Sequence, residues 1–196
     1  MRKRYKIAAW AARIPMILCW HYKIENKKYL QNEDTTIIAA NHISWFDPPF
    51  IGSITPYEIA YLAKAELFKK PILSFIIKQL NAIPIVRNMA DIKGMNNIKK
   101  TIEDGKALLM FPQGTRYGKN IKPGIGMFAM QMKKDIIPIY LENTDKPIQC
   151  LFFIKRTKIV VGKPIKYTEF KDWEQNKENY QKLSNLVYEK IMELKK

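Results

Sequence analysis

At 196 residues, 47% of them hydrophobic and 27% charged, the chain suits one domain with enough apolar material for a core. Only two cysteines (Cys19 and Cys150, far apart) and two histidines are present. That excludes a disulfide framework and offers no metal cage, so the thiols read as reduced. Thirty-four Lys and Arg against 18 Asp and Glu leave a net charge of +16, which attracts polyanions, either nucleic acid or an anionic lipid leaflet.

Met1-Arg2-Lys3-Arg4-Tyr5-Lys6 sets a basic cluster before an apolar run, residues 7–20, broken by Arg13. The run is too short to span a bilayer, which needs about 20 apolar residues. No small-residue cleavage site follows it, since Cys19-Trp20-His21-Tyr22 is bulky. At about 100° per residue Arg2, Lys6 and Arg13 share a narrow stripe, with Ile7, Ile14 and Leu18 roughly opposite. Trp10 and Trp20 favour the headgroup level, and His21 reads as a surface or interfacial residue. Residues 1–22 are therefore expected to form an amphipathic segment lying in a membrane interface, the alternative being a helix packed on its own domain. Pro15 predicts two short helical pieces. Residues 23–196 are expected to fold as one domain.

Within that domain strand-like and helix-like stretches alternate. Residues 36–40 read as a buried strand, and Asp47-Pro48-Pro49 as a helix start with Asp47 at the N-cap and Pro48 at N1. Strand 59–63, helix 66–80, strand 83–86, helix 91–103 and strand 107–111 follow. A helix over 126–133 precedes strand 136–141, and further strands are expected over 149–154 and 157–161. Tyr180, Leu183, Val187, Ile191 and Leu194 recur at helical spacing. This alternation predicts an α/β fold, a mixed and largely parallel sheet flanked by helices. Ligands bind such sheets beyond the carboxyl ends of strands. The informative residues fall there, after Ala40, after Val86 and after Phe111.

His42 sits in Asn41-His42-Ile43-Ser44-Trp45-Phe46-Asp47. Five residues rotate about 140° on a helix, so His42 and Asp47 cannot share a helical face. Across a strand-to-helix turn they can meet, Asp47 orienting the imidazole and leaving the other ring nitrogen to accept a proton. Ser44 offers an alternative Ser-His-Asp arrangement but lacks the G-x-S-x-G setting. A capped turn with a merely buried His42 is the structural alternative. In Phe111-Pro112-Gln113-Gly114-Thr115-Arg116, the glycine allows close backbone approach to an anion, with a hydroxyl from Thr115 and a forked cation from Arg116. Arg87 stands after another strand, and Lys122 precedes a helix. Together these residues describe a base beside a cationic pocket. Residues 72–77 and 128–132 are apolar enough to line a tunnel, although ordinary core explains their spacing.

In these blocks the sequence resembles the glycerolipid acyltransferase family, in particular 1-acyl-sn-glycerol-3-phosphate acyltransferases. N-H-x-x-x-x-D matches Asn41-His42 through Asp47. Asn81-Ala82-Ile83-Pro84-Ile85-Val86-Arg87 resembles the second block, Phe111 to Arg116 the third (F-P-E-G-T-R), and Ile136-Ile137-Pro138-Ile139-Tyr140 the fourth. Softer matches are Ile24-Glu25-Asn26 and Lys64 before Glu66-Leu67-Phe68. The resemblance covers the chain from about residue 24 onward. It departs at Gln113, usually glutamate, and at Asn81, usually glycine; asparagine tolerates φ > 0 better than most residues. Glutamine keeps an acceptor oxygen but loses the charge, which implies a more positive pocket and some lost orienting strength.

The resemblance implies transfer of a fatty acyl group from acyl-CoA or acyl-carrier protein to the sn-2 hydroxyl of lysophosphatidate. His42 and Asp47 would be catalytic, and Arg87, Arg116, Gly114, Thr115 and Lys122 would bind the phosphate. Asn41, Gln113 and Pro138 would support them. No metal or cofactor is expected, because the thioester is already activated. The expected partners are the two substrates and an anionic membrane surface rather than nucleic acid. The basic N-terminal flank points to the cytoplasmic face of the inner membrane. Other expectations left open are a different lysolipid or glycerol-3-phosphate as acceptor, a Ser44-dependent hydrolase, and a degenerate nonenzymatic membrane-binding relative.

Overall fold

The computed structural model describes residues 3–31, 36–86 and 92–195. Seven short strands form one sheet: β1 (Lys23–Glu25), β2 (Ile37–Ala40), β3 (Ile59–Lys64), β4 (Ala82–Ile85), β5 (Ala107–Met110), β6 (Ile136–Glu142) and β7 (Lys158–Val161). Their spatial order is β1-β7-β6-β2-β5-β3-β4, parallel throughout except for the antiparallel β6–β7 pair. This is the mixed, largely parallel sheet that the alternation of elements predicts.

Alternate residues of each strand face opposite sides, and each side carries its own core. Ile37, Ala39, Leu108, Met110, Ile136 and Tyr140 face a layer formed by α4 (Ile92–Glu103), α5 (Gly124–Met132) and α7 (Lys177–Met192). Ile38, Ala40, Leu109, Ile137, Ile139 and Leu141 face α1 (Lys3–Trp20) and α2 (Asp47–Ile54), with Cys150 of α6 (Pro147–Leu151) beside them. The central strands are buried on both faces, so they read as continuous apolar runs. Where α5 meets α7, Gly126 lies under the Tyr180 carbonyl, and a Cβ there would stand only 2.1 Å from that oxygen.

Several local expectations are corrected. The run over 66–80 splits into a 3₁₀ turn, Ala65–Lys69, and α3 (Pro71–Gln79). Lys70, ahead of Pro71, is extended at φ −89°, ψ 112°, the conformation that a following proline favours. The strand expected over 149–154 is helical and turn-like instead. Pro147 opens α6, and β7 rather than this run pairs with β6. The short edge strand β1 was not anticipated. Asn81 does adopt φ 60°, the left-handed conformation that replacement of a glycine there requires.

At the N-terminus, α1 is one helix through Pro15, not two pieces. Its packed face is Tyr5, Met16 and Trp20, while Ile7, Trp10, Ile14, Ile17 and Leu18 are exposed. At about 100° per residue the exposed apolar side chains occupy an arc opposite the packed ones. The helix packs one face on its own domain, as the second alternative expects, and leaves a further apolar face exposed. Lys6 and Arg13 flank that outer face, whereas Arg2 lies outside the described residues. Trp20, expected at the headgroup level, is buried against the rings of Phe46 and Phe50. No helix among the described residues is long and apolar enough to cross a membrane.

Candidate active site

Three adjacent parallel strands, β5, β2 and β6, run side by side, with Ala39 in register with both Met110 and Pro138 and β6 continuing to Glu142. Each delivers part of the site just past its carboxyl end. β2 leads into Asn41 and His42. Asn41 is buried and bridges to β6 in both directions: its amide donates to the Leu141 carbonyl at 2.9 Å, and Leu141 N–H donates to its carbonyl oxygen at 2.7 Å. These two hydrogen bonds fix the exit of β2 and hence where His42 begins.

The loop from His42 returns to Asp47, and the two side chains meet, His42 Nδ1 lying 2.8 Å from Asp47 Oδ2. The same oxygen accepts the N–H groups of Ile43 at 2.7 Å and Ser44 at 2.8 Å. Asp47 therefore does not cap α2 as the sequence suggested. It occupies the first helical position, and its carboxylate turns back into the loop. The Asp47 side chain is wholly buried and the His42 side chain 14% exposed. Bonding of Nδ1 to Asp47 leaves Nε2 as the ring nitrogen available to a substrate. A capped turn alone would not bring the imidazole onto this carboxylate.

Thr144, just past β6, supplies the other side of the carboxylate: its hydroxyl donates to Asp47 Oδ1. Trp20 Nε1 in turn donates to the Thr144 carbonyl at 3.2 Å. Sequence reasoning missed Thr144 because nothing local marks a threonine 97 residues away as a partner of Asp47. Its place directly after a strand that runs parallel to β2 was the one available signal.

β5 contributes Phe111, whose ring stacks on the His42 imidazole at 4.0 Å between centroids and 15° between planes. Two residues on, Gln113 is buried, and its side-chain oxygen accepts the His42 N–H at 3.0 Å. Substitution of glutamine for the usual glutamate therefore keeps an acceptor in use. Gly114, at φ 66°, turns the chain, and Gly114 N–H donates to the Phe111 carbonyl at 2.9 Å. The Lys122 stem lies against Gly114, 3.4 Å from where a Cβ would be. Tyr117 N–H donates to the His42 carbonyl at 2.9 Å, tying the far end of this loop to the same residue. The Tyr117 hydroxyl donates to Asp145 at 2.8 Å, and that carboxylate pushes the phenol's pKa up.

Arg116 and Thr115 are exposed on this loop. The Arg116 guanidinium lies over the Trp45 ring, 3.8 Å from its centroid, so the block after β5 and the loop between His42 and Asp47 touch. Ser44 is buried, and its hydroxyl accepts the Phe46 N–H at 3.1 Å; this engagement with the turn gives no support to a serine nucleophile. Pro138 is buried beside Gly162, whose N–H donates to the Pro138 carbonyl at 2.8 Å, a packing role within the sheet. Arg87 lies outside the described residues. The strand that precedes it in the chain, β4, is the sheet edge, three places from β2 or about 14 Å at ordinary strand spacing. Of the two apolar stretches considered for a tunnel, Phe128, Ala129 and Met130 are core, whereas Ile72, Phe75 and Ile76 of α3 are exposed. Among the described residues no cluster of His, Cys, Asp or Glu could hold a metal ion. Both cysteines are free thiols.

Comparison with known proteins gives this arrangement a context. A family model described as Acyltransferase matches residues 21–142. The chain is 27% identical over 193 residues to a 1-acyl-sn-glycerol-3-phosphate acyltransferase of Bacillus subtilis (strain 168), covering 97% of this chain and 96% of that one. It is 28% identical over 179 residues to a protein of the same description from Streptococcus pneumoniae, covering 89% of this chain and 65% of that one. A lyso-ornithine lipid O-acyltransferase of Pseudomonas aeruginosa is 28% identical over 107 residues, 54% of this chain and 40% of that one. The crystal structure of the 1-acyl-sn-glycerophosphate acyltransferase PlsC from Thermotoga maritima has the same fold. It superposes with a TM-score of 0.73 at 20% identity, covering all of this chain and 84% of that one. With the family model spanning more than half of its residues, the chain belongs to the acyltransferase family and is an acyltransferase.

Proposed function

We propose that the chain acylates the sn-2 hydroxyl of 1-acyl-glycerol-3-phosphate, taking the acyl group from acyl-CoA or acyl-carrier protein and forming phosphatidate. The observation that carries this reading is the His42–Asp47 pair, 2.8 Å apart at the carboxyl end of β2 and beside a loop bearing Arg116 and Lys122. His42 Nε2 takes the hydroxyl proton as the oxygen attacks the thioester carbonyl. The C–O bond forms, the tetrahedral intermediate collapses, the C–S bond breaks, and the imidazolium returns its proton to the leaving thiolate. Asp47 holds the ring and stabilises its cation during the transfer. Arg116 and Lys122 hold the acceptor phosphate at the turn formed by Gly114 and Thr115, with Arg87 as a further cation. Gln113 and Asn41 position the His42 backbone. The thioester is already activated, so no metal or cofactor enters the reaction.

The acceptor is a lipid, and the outer face of α1 suits its location. Ile7, Trp10, Ile14, Ile17 and Leu18 would enter the headgroup boundary while Lys6 and Arg13 meet anionic lipid on the cytoplasmic side. A second acceptor class deserves a place in the assay, because one relative is described as a lyso-ornithine lipid O-acyltransferase.

The test is incubation of the purified protein with lysophosphatidate and each thioester donor, following phosphatidate and free thiol, with His42→Ala alongside. General-base help is worth about 10²–10⁴ in rate, so His42→Ala should lose about that much with its melting temperature preserved. A variant that keeps most activity would remove His42 as the base. Turnover of a lyso-ornithine lipid in place of lysophosphatidate would move the acceptor assignment.

A further inference from the structure

The seven residues 148–154 expose five large apolar side chains, Ile148, Leu151, Phe152, Phe153 and Ile154, with Phe152, Phe153 and Ile154 at 68%, 73% and 72%. A concentration of this kind is unusual on a water-facing surface and marks an interaction site. The segment is nevertheless well built. Phe153 N–H donates to the Cys150 carbonyl at 3.0 Å, and Ile154 and Lys155 N–H both donate to the Gln149 carbonyl, at 2.9 and 3.0 Å. Phe153 takes φ 57°, a left-handed conformation. Cys150 is buried beneath the turn, and the His21 ring at the end of α1 stacks on Phe153 at 3.9 Å. The backbone is satisfied, the base is anchored, and the apolar tips point into solvent.

The surrounding charge selects the occupant. Lys146 precedes the turn, and Lys155 and Arg156, both exposed, follow it. The Lys155 ammonium is crowded by the Lys146 side chain, which lowers its pKa against the opposing pull of Asp145 and Glu142. An apolar knob collared by crowded cations is complementary to a bilayer surface with anionic headgroups. We propose that residues 148–154 form a wedge that inserts into the anionic leaflet as a second anchor beside the outer face of α1. The inference rests on the reading that the enzyme works on a membrane. It adds a separate site of attachment that starts four residues after Thr144, the partner of Asp47, and so sets the mouth of the active site against the lipid.

The experiment compares the full-length wild type with Phe152→Ser/Phe153→Ser/Ile154→Ser. Each is measured by flotation on vesicles of phosphatidylcholine with and without about a third phosphatidylglycerol, and by turnover of a short-chain lysophosphatidate dispersed as monomers. The wedge predicts at least about a tenfold fall in vesicle partitioning of the variant, with turnover of the monomeric acceptor unchanged. Lys155→Ala/Arg156→Ala should lose binding only on the anionic vesicles. Equal partitioning of wild type and variant would overturn the wedge while leaving α1 as the anchor. A wild type that ignores both vesicles would sink the membrane reading itself. A wild-type dimer that becomes monomeric in the variant on sedimentation would assign the surface to a second copy of the chain.

We further infer that Thr144 is a positioning residue for the dyad. Its hydroxyl is fully buried and donates to Asp47 Oδ1, opposite the oxygen that holds His42. The bond from Trp20 Nε1 fixes the Thr144 backbone in turn. Thr144→Val keeps the volume and removes the donor. It should lower kcat about 10- to 100-fold with little change in the KM of either substrate, and Thr144→Ser should recover most of the loss. If the valine variant does not fold, Thr144→Cys, a weaker donor, should give an intermediate kcat. A kcat within about twofold of wild type for valine, or for cysteine where it stands in, would overturn the role. A loss confined to KM, or a serine variant no better than valine, would overturn it too.

Discussion

Gln113 accepts the backbone N–H of His42 through its side-chain oxygen at 3.0 Å, although 71 residues separate them in the chain. The bond sets where the imidazole leaves the backbone, and it needs an acceptor rather than a charge. Gln113→Ala removes the acceptor from a half-buried amide, costing about 1–3 kcal/mol. It should reduce kcat and melting temperature together. Gln113→Glu keeps an oxygen in place and should retain activity within about tenfold of wild type, which steady-state assay beside a thermal melt will check.

Asp47→Asn should be far more damaging than its size suggests. The buried carboxylate receives four donors: His42 Nδ1, two backbone amides and the Thr144 hydroxyl. An asparagine places an NH₂ group against one of these donors and favours the wrong imidazole tautomer. Activity should fall about 10²–10⁴-fold, and the mismatch should cost about 1–3 kcal/mol by denaturant titration. Near-wild-type turnover would show that the pair is structural only.

The central guanidinium carbon of Arg116 lies over the Trp45 ring at 3.8 Å from its centroid, so the cation also meets the indole face. Arg116→Ala should raise the KM for lysophosphatidate about 10- to 100-fold with a smaller effect on kcat. Arg116→Lys restores the charge but not the bidentate fork, and should recover only part of the affinity. Initial rates across an acceptor series separate the two effects, and an unchanged acceptor KM in both variants would remove the phosphate role.

Tyr5 ties α1 to the domain: it is buried, its oxygen accepts the Ile59 N–H at 3.2 Å, and burial pushes its pKa to about 12 from 10.0. A group whose pKa is raised on folding contributes fully below its unfolded value and loses that contribution as pH rises through the folded one. Stability should therefore hold to pH 10 and then fall by about 3 kcal/mol between pH 10 and 12. Tyr5→Phe cannot ionise there and should show a shallower alkaline decline in thermal melts. Parallel declines in the two proteins would assign the effect to other groups, such as Tyr61, whose pKa burial raises further.

Much of this architecture was legible along the chain because its signals are local. The apolar runs that became β2, β5 and β6, the five-residue spacing of His42 and Asp47, and the helical period of α7 each reflect nearest-neighbour geometry that a sequence carries directly. Tertiary structure alone decided which strand ends stand together, and hence that Thr144, Gln113 and Phe111 surround the pair that the spacing identified. It also decided which side of an apolar segment is covered. Residues 149–154 have the composition of a strand, but β7 takes the place beside β6 and the turn projects outward. Trp20 has the composition of an interfacial residue, yet Phe46 and Phe50 bury it. Hydrophobicity measures how strongly a side chain avoids water; whether protein or lipid provides its cover depends on partners that the chain brings near only when it folds.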